Sequence, residues 1–253
     1  MRTDFLEDFV VPVCLAEEIS GQAYLRHLMG TAFFVDLDGT FLTAAHILES
    51  IDARTGAGTL CGLNVKSDED RPANIFSEIQ EWEKAPSPFD IAIGKIRRNS
   101  RKWFEIADHE IAAWKDVATM GYPEVSLNTI DDKFNVHMRM LKGYVQRIVK
   151  SGELQILGTH PDCFELSFAI SSGMSGSPLF TVDNDRPQLI GVCVGSFSAE
   201  VVDYDTSEVD AEGAKFSEKR LRVEQIGIAE SIFPLLSWRP VLCGGKSLGE
   251  LVS

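Results

Sequence analysis

The sequence predicts an all-β protein of two β-barrels joined in one chain. Short apolar runs separated by turn residues recur along both halves, and no long helical pattern is interleaved with them. This arrangement is typical of barrels and sandwiches. The chain has 253 residues, of which 44% are hydrophobic, so it can fill one large core or two small ones. We therefore expect a first barrel in residues 1–110 and a second in residues 111–253.

The first half contains the clearest hairpin. Residues 31–35 (Thr-Ala-Phe-Phe-Val) predict an apolar strand. An Asp-Gly pair within residues 37–40 predicts a tight turn, because this pair readily adopts the positive backbone angles that such turns require. Residues 41–45 predict the returning strand, which places His46 at its end.

The rest of the first half predicts one more strand and long connections. Residues 89–96 have apolar side chains at every second position from 89 to 93, which predicts a strand. Residues 64–87 are polar and interrupted by proline, which predicts surface loops. Residues 101–116 predict the connection between the two halves, with a short helix near residues 106–115.

The second half resumes with strands. Strands are predicted at residues 117–121, 138–148, 154–158, 163–169, 177–182 and 189–194. Residues 198–222 form an acidic insertion, and its composition predicts a mobile surface loop or a loose hairpin. Residues 227–236 predict a strand followed by a short helical turn. The C-terminal tail contains Gly-Gly-Lys-Ser at 244–247, which lacks the earlier glycine of a phosphate-binding loop.

Composition limits the classes of partner and the compartment. The net charge of -14 argues against a nucleic-acid surface and against docking on anionic lipid. No apolar run approaches the roughly 18 residues that span a bilayer, and no secretory signal is visible. The cysteines are odd in number and scattered without paired spacing, which predicts reduced thiols in the cytoplasm. They are Cys14, Cys61, Cys163, Cys193 and Cys243.

Residues 173–178, Gly-Met-Ser-Gly-Ser-Pro, are the most informative stretch of the sequence. A catalytic serine needs its hydroxyl on a tight turn, with backbone N–H groups beside it to hold an oxyanion. Gly173 and Gly176 supply the backbone freedom for such a turn around Ser175. A Gly/Ser-rich hairpin without catalytic function is the alternative explanation of the hexapeptide taken alone.

Two further residues are candidates for the same chemistry. His46 follows an apolar strand and two small residues, which can hold its ring beside a cleft, although a lone histidine is commonly structural. Asp90 leads an apolar strand, where an unpaired carboxylate is costly. An imidazole N–H would pair with this carboxylate, and capping a loop is the alternative explanation.

Taken together, these motifs resemble the chymotrypsin-like (trypsin-like) serine protease family. Thr-Ala-Ala-His at 43–46, Asp-Ile-Ala at 90–92 and Gly-x-Ser-Gly-x-Pro at 173–178 match its three active-site motifs in its order. The resemblance spans roughly residues 28–236 and is nearest to the bacterial, disulfide-free branch, including the high-temperature-requirement proteases. It implies two six-stranded antiparallel β-barrels with the active site between them.

The resemblance also implies a function and its residues. The protein would be a serine endopeptidase in which Ser175 attacks the peptide carbonyl, His46 takes its proton and Asp90 orients the imidazole. The N–H groups of Gly173 and Ser175 would form the oxyanion hole. No cofactor or metal is implied. The substrate would be a protein or peptide, and a regulatory protein partner is left open.

Two features concern activation and specificity. Secreted digestive members of the family carry Asp at the position of Met174, which pairs with a new amino terminus, so activation by N-terminal trimming is not expected here. The residues expected to line the specificity pocket are small and uncharged, which disfavours an Arg or Lys side chain of the substrate. They are Ala169, Ser172, Val194, Gly195, Ser196 and Gly227.

The main alternatives find less support in the residues. Lipase-type hydrolases place their histidine after the serine, whereas all five histidines here precede Ser175. No His-Glu-x-x-His motif is present, and no cysteine occupies the glycine-framed turn. The alternative from another class is a catalytically silent protease-fold scaffold that binds a protein or peptide partner. Retention of all three triad residues favours the peptidase.

Overall fold

The computed structural model describes residues 8–52, 59–66, 74–97, 104–107, 111–130, 133–155, 158–183, 186–209, 213 and 215–252. Most of these residues lie in β-strands, and the strands form the predicted pair of six-stranded β-barrels. The predicted fold class is therefore confirmed. The placement of the boundary between residues 110 and 111 stays a prediction.

The first barrel closes in the order β1-β2-β3-β6-β5-β4, with antiparallel neighbours throughout. Its strands are β1 (Val10–Ile19), β2 (Gln22–Phe34), β3 (Thr40–Ala44), β4 (Thr59–Lys66), β5 (Asn74–Lys84) and β6 (Ile91–Ile96). Helix α1 (Ala45–Asp52) follows β3 directly. The predicted turn is present, since the N–H of Val35 donates to the carbonyl of Thr40 at 2.9 Å and Gly39 has φ of 83°.

The second barrel is closed by antiparallel pairing in the order β13-β8-β11-β12-β15-β14, and β14 pairs back onto β13. The elements of this half are β7 (Glu105–Ile106), β8 (Asp116–Gly121), β9 (Leu127–Ile130), β10 (Lys133–Val136), β11 (Arg139–Val149), β12 (Cys163–Leu166), β13 (Pro178–Asp183), β14 (Arg186–Val209), β15 (Lys215–Ser231) and α2 (Leu248–Val252). Short 3₁₀ turns lie at Glu124–Ser126, Phe233–Leu235 and Val241–Cys243. β7 adds in parallel to the edge of β14, and β9 and β10 form a separate hairpin.

A shared apolar core joins the two barrels. Phe33 from β2 packs edge-on against Phe104 at a centroid distance of 5.8 Å, and Phe104 packs against Phe180 from β13 at 5.4 Å. All three side chains are buried, and each buried side chain of this size contributes about 1.5–3 kcal/mol. β3 is apolar on both faces because Phe41 points into the first barrel while Leu42 joins this shared core.

The acidic insertion folds as the outer part of the β14–β15 hairpin. The two strands stay paired from Ser196 opposite Gly227 out to Val209 opposite Lys215. We call the segment between those two pairs the ribbon. A loose hairpin was one of the two predicted forms, and the described residues instead form a long, regular ladder with a single register shift near Asp203.

Three local expectations were wrong. Residues 64–87 were expected to be loops, but they include the end of β4 and all of β5, in which Glu78, Gln80 and Glu81 are exposed. No helix forms in the described parts of 106–115, because β14 recruits residues 105–106 as a parallel strand. The described residues of 154–158 form turns, in which the N–H of Gly158 donates to the carbonyl of Gln155 at 3.1 Å.

Within the described ranges, no helix is both long and apolar enough to cross a membrane.

A close backbone approach fixes the turn of Ser175 against the first barrel, and this generates a prediction about stability. A Cβ atom at Gly176 would lie 2.0 Å from the carbonyl oxygen of Thr31 and 2.3 Å from Thr43 Oγ1. Gly176→Ala should therefore force the turn away from the first barrel and lower the free energy of unfolding by more than about 3 kcal/mol. Urea unfolding measures this loss.

Gly152→Ala is the matched control for that substitution. Gly152 has φ of 80°, close to the 85° of Gly176, but a Cβ there would meet nothing within 4 Å. Its cost is then the left-handed backbone alone, about 1–2 kcal/mol. Equal losses in the two variants would show that the contact with Thr31 does not contribute.

Candidate active site

His46 is the second residue of α1, which begins at Ala45, whereas the sequence predicted His46 at the end of a strand. The helix buries Ala45, Ile47, Leu48 and Ile51 against the first barrel. His46 lies on the opposite side of the helix, with its side chain 47% exposed. The amphipathic pattern of this short helix therefore leaves the imidazole open to solvent at one side while its backbone is held.

Asp90 lies beside His46 because of strand register. β3 and β6 pair Ala44 with Ile91, so the next residue on each side, Ala45 and Asp90, also meet. The N–H of Ala45 donates to the carbonyl of Asp90 at 2.9 Å. The predicted proximity of these two motifs follows directly from the ladder.

The Asp90 carboxylate binds His46 through two hydrogen bonds. Oδ1 of Asp90 accepts the backbone N–H of His46 at 2.9 Å, and Oδ2 lies 2.6 Å from Nδ1 of the imidazole. A carboxylate only accepts, so Nδ1 carries the proton and Nε2 of the neutral ring keeps a lone pair. This is the tautomer that a general base requires.

Ser175 lies on a tight turn of the second barrel that touches the segment leading to His46. Gly173 and Gly176 frame the turn with φ of 88° and 85°. Gly176 packs against Thr43, so the serine turn meets the chain just before α1. Ser175 Oγ donates to the carbonyl of Val194 at 3.1 Å and makes no hydrogen bond to His46 in this structure.

The backbone around Ser175 has the features expected of an oxyanion hole. The carbonyl oxygens of Gly173 and Ser175 both accept hydrogen bonds from Thr31, at 2.8 and 2.9 Å, which fixes the turn. The N–H groups of Gly173 and Ser175 donate to no acceptor in the described part of the chain. Both donors are thus available to a bound oxygen atom.

Met174 anchors the serine turn in the second barrel. Its side chain is 1% exposed and belongs to the apolar cluster that fills this barrel. Its N–H donates to the carbonyl of Ser171 at 2.9 Å, closing the turn. The turn is therefore held by apolar burial of the residue just before Ser175.

Three chain segments predicted to line the specificity pocket meet one another. Ser196 Oγ accepts the N–H of Ile170 at 2.6 Å and lies 3.1 Å from the carbonyl of Ile170. The N–H of Gly227 donates to the carbonyl of Phe168 at 3.1 Å. A Cβ at Gly227 would lie 2.3 Å from that same carbonyl, so only glycine allows this approach.

The remaining predicted pocket residues lie around these contacts. Ala169 is half-buried between Phe168 and Ile170, and Gly195 is half-buried on β14 beside Ser196. Ser172 is exposed, and its hydroxyl donates to the Glu124 carboxylate at 2.8 Å. Val194 contributes the carbonyl that binds Ser175.

Glu230 is a site residue that the sequence reasoning missed. It is 4% exposed on β15, and its Oε2 accepts the backbone N–H of Asp90 at 2.8 Å. Burial raises the pKa of Glu230 to about 8, the charge of Asp90 adds to the rise, and the Asp90 N–H and Lys84 oppose it. The sequence did contain a signal for it, because Glu230 directly follows the apolar run Ile-Gly-Ile-Ala. An acid buried next to such a run is costly without a partner, which was the same argument that singled out Asp90.

The cysteines are not suited to nucleophilic chemistry. All five are free thiols. Burial raises the pKa of Cys14, Cys61 and Cys163 to about 12 and that of Cys193 and Cys243 to about 11. These thiols stay protonated at neutral pH, whereas the thiolate is the nucleophilic form. Among the described residues, no group of three or more His, Cys, Asp or Glu side chains is placed to hold a metal ion.

Comparison with known proteins agrees with this fold. The chain matches the family model of the trypsin-like peptidase domain over residues 30–192. This match covers more than half of the chain, which therefore belongs to the trypsin-like peptidase family. No curated protein sequence matches it significantly.

Two solved structures show the same fold. The MamO protease domain from Magnetospirillum magneticum, in its apo form, is 12% identical, with 93% of this chain and 98% of that chain covered and a TM-score of 0.55. Deg5 is 16% identical, with 76% of this chain and 82% of that chain covered and a TM-score of 0.53. At such identities the similarity concerns the fold alone.

The raised pKa of Glu230 predicts a pH-dependent effect of Glu230→Gln on stability. Between the ordinary glutamate value of 4.5 and about 8, the folded protein holds a proton that the unfolded chain has released. Glu230 therefore makes wild-type stability fall as pH rises through this window, and its contribution is constant outside it. The neutral amide of E230Q removes that fall.

The free energy of unfolding of E230Q, minus that of the wild type, should thus increase steadily from about pH 4.5 to about pH 8. Urea unfolding at a series of pH values measures this difference. A difference that stays constant across the window would show that Glu230 ionises at its ordinary pKa.

Proposed function

We propose that this protein is a serine endopeptidase that uses Ser175, His46 and Asp90. The proposal depends above all on the carboxylate of Asp90, which binds both the backbone N–H and the Nδ1 of His46, at 2.9 and 2.6 Å. A histidine needed only for packing would not require its ring tautomer and its backbone to be fixed by the same acid. The adjacent serine turn supplies the nucleophile.

The chemistry follows from the roles of these groups. His46 Nε2 removes the hydroxyl proton as Ser175 Oγ attacks the carbonyl carbon of the peptide, and Asp90 stabilises the resulting imidazolium. The developing oxyanion accepts hydrogen bonds from the N–H groups of Gly173 and Ser175. Each of these bonds lowers the activation free energy by about 3–4 kcal/mol. His46 then protonates the leaving amine, and water hydrolyses the acyl-enzyme. No cofactor takes part.

The hydroxyl of Ser175 must rotate before it can react. Its present acceptor is the carbonyl of Val194, at 3.1 Å. A change between staggered rotamers about the Cα–Cβ bond moves Oγ without moving the turn, which Met174 and Thr31 hold in place. Apo active sites commonly have such loose contacts, which tighten when substrate binds.

We propose a preference for a small, uncharged substrate residue before the scissile bond. Ser196 bonds to both backbone groups of Ile170, so these two segments, which are expected to line the pocket, lie in direct contact. Gly227 lies against Phe168 without room for a side chain. A long Arg or Lys side chain would have to break the Ser196 contacts and would find no acid at position 169.

A catalytically silent scaffold is the second candidate. The observation that favours it is the hydrogen bond of Ser175 to Val194 in place of one to His46. A scaffold would bind a protein or peptide at the same cleft without cutting it. Reaction of Ser175 with an activated phosphonate distinguishes the two candidates.

A fluorophosphonate probe should label the wild type, and Ser175→Ala should abolish labelling. His46→Ala should slow both labelling and peptide hydrolysis by at least about a thousandfold, because the hydroxyl loses its base. Labelling is followed by gel fluorescence and hydrolysis by a mixed peptide library. Ser171→Ala, on the same turn and exposed, is the matched control and should react as the wild type does. Equal labelling of the wild type and S175A would rule out the assigned nucleophile.

We propose in addition that the ribbon contacts the substrate or a regulatory protein. It continues directly from Ser196, at the edge of the pocket. Val202, Leu221 and Val223 are 49%, 45% and 58% exposed, and cross-strand pairing places them on one face. An isolated two-stranded ribbon is marginally stable, so an apolar face of this kind gains from a partner.

Shortening the ribbon tests this role. Replacing residues 202–221 with Asn-Gly leaves Val201 paired with Arg222 and closes the hairpin with a favourable two-residue turn. We expect cleavage of protein substrates to fall by about tenfold or more while cleavage of a four-residue peptide changes little. Unchanged cleavage of both substrates, with and without cell extract, would contradict the proposed contact.

A further inference from the structure

The carboxyl group of Glu230 reaches across the boundary between the barrels to the triad. Asp90 has four hydrogen bonds in the described structure. Three of them go to His46 and Ala45 in the first barrel, and the fourth runs from its N–H to Glu230 in the second barrel at 2.8 Å. Ser175 also belongs to the second barrel. The bond to Glu230 therefore ties the acid of the triad to the barrel that carries the nucleophile.

We propose that Glu230 is a positioning residue, which holds the backbone of Asp90 from the second barrel and so orients His46 toward Ser175. This inference rests on the proposed peptidase function. It assigns to Glu230 no contact with substrate. Its effect passes through the Asp90 N–H, then through the Asp90 carboxylate, to the imidazole.

Stability alone does not explain an acid at this position. Glu230 is 4% exposed, and the one hydrogen bond of its carboxyl group in the described structure comes from the N–H of Asp90. The cation that lowers its pKa is Lys84, whose Nζ is bound to Glu49 at 2.7 Å. A buried carboxyl without an ion-pair partner is costly compared with an apolar side chain of similar volume. An apolar side chain could not accept the hydrogen bond that Glu230 Oε2 accepts from the Asp90 N–H.

The groups around Glu230 define its electrostatic setting. From the first barrel, Asp90 faces it ahead of β6 and Lys84 faces it from the end of β5, with Glu49 of α1 beyond Lys84. Within the second barrel, its ladder neighbours are Cys163 of β12 and the uncharged Val192 of β14. Burial raises the pKa of Glu230 to about 8, and Lys84, which is paired with Glu49, does not offset this rise. The Glu230 carboxyl is therefore mostly protonated and neutral at neutral pH.

The neutral form suits the positioning role. A neutral carboxyl oxygen accepts the Asp90 N–H without adding a second negative charge beside the triad acid. When Glu230 loses its proton, above about pH 8, two carboxylates repel each other across this bond. The geometry of Asp90 and His46 should then relax, and activity should fall.

Three variants separate positioning from mere stability. Glu230→Leu keeps the volume but removes the acceptor, leaving the Asp90 N–H buried without a partner. Glu230→Gln keeps an acceptor oxygen and is always neutral. Glu165→Leu is the matched control, because Glu165 is also buried on an adjacent strand of the same barrel but binds Arg147, at 2.6 and 2.9 Å, and not the triad.

We expect kcat of E230L to fall by about tenfold to a hundredfold with KM within about threefold, because misplacement of catalytic groups slows chemistry more than binding. E230Q should retain kcat within about threefold. E165L should retain wild-type kcat. As pH rises through about 8, kcat/KM of the wild type should fall relative to that of E230Q.

Two outcomes would overturn the proposal: wild-type kcat in E230L, or a loss in E230Q as large as that in E230L. If E230L does not fold, the pH profiles of the wild type and E230Q decide, and a constant ratio between them through pH 8 contradicts the proposal. If the wild type neither hydrolyses peptides nor reacts with the fluorophosphonate, the proposed function has failed.

An NMR measurement that does not depend on peptidase activity tests the positioning role of Glu230 directly. The low-field NMR resonance of the His46 Nδ1 proton reports the bond to Asp90. This resonance should shift or broaden in E230L and stay unchanged in E165L. An unaltered resonance in E230L would overturn the positioning role.

Discussion

Thr31 carries the contact on which the rest of the site depends. Its N–H and Oγ1 donate to the carbonyls of Ser175 and Gly173, and its Oγ1 also accepts the N–H of Tyr122 at 3.0 Å. Its own carbonyl accepts Thr43 Oγ1 at 2.7 Å. A single buried residue of the first barrel thus holds the turn that carries Ser175 in the second barrel beside the strand that leads to His46. Thr31 is fully buried, so losing one of these bonds leaves an unpaired buried group.

A second link crosses between the barrels at the other end of the triad. Glu230 reaches from the second barrel to Asp90, while Thr31 reaches from the first barrel to Ser175. The two links run in opposite directions, and the shared aromatic core around Phe104 lies between the same two barrels. The proposed triad is therefore held by contacts between the barrels and not by either barrel alone. The turn that carries Ser175 is held by the burial of Met174 and by its hydrogen bonds to Thr31.

Much of this arrangement could be predicted from the sequence, for identifiable reasons. The hairpin at residues 31–45 and the strand after Asp90 have strong local patterns, and the serine turn is marked by its two glycines. β5 was missed because exposed polar residues such as Glu78, Gln80 and Glu81 interrupt its apolar residues, so it lacks the apolar run that marks a buried strand. The helix expected near residues 106–115 does not form in the described residues, because residues 105–106 pair with β14 as a parallel strand. The local sequence pattern does not reveal this long-range pairing. Glu230 was missed because its contact with Asp90 spans 140 residues of sequence.

The most direct measurement of the central claim is a crystal structure of the protein after reaction with a peptidyl phosphonate. We predict a covalent bond from Ser175 Oγ to phosphorus, with Oγ turned away from the carbonyl of Val194. One phosphoryl oxygen should lie about 2.7–3.1 Å from the N–H groups of both Gly173 and Ser175. His46 Nε2 should lie within hydrogen-bond distance of the adduct while Asp90 keeps Nδ1. An adduct on another residue, or a phosphoryl oxygen directed away from those two N–H groups, would contradict the account.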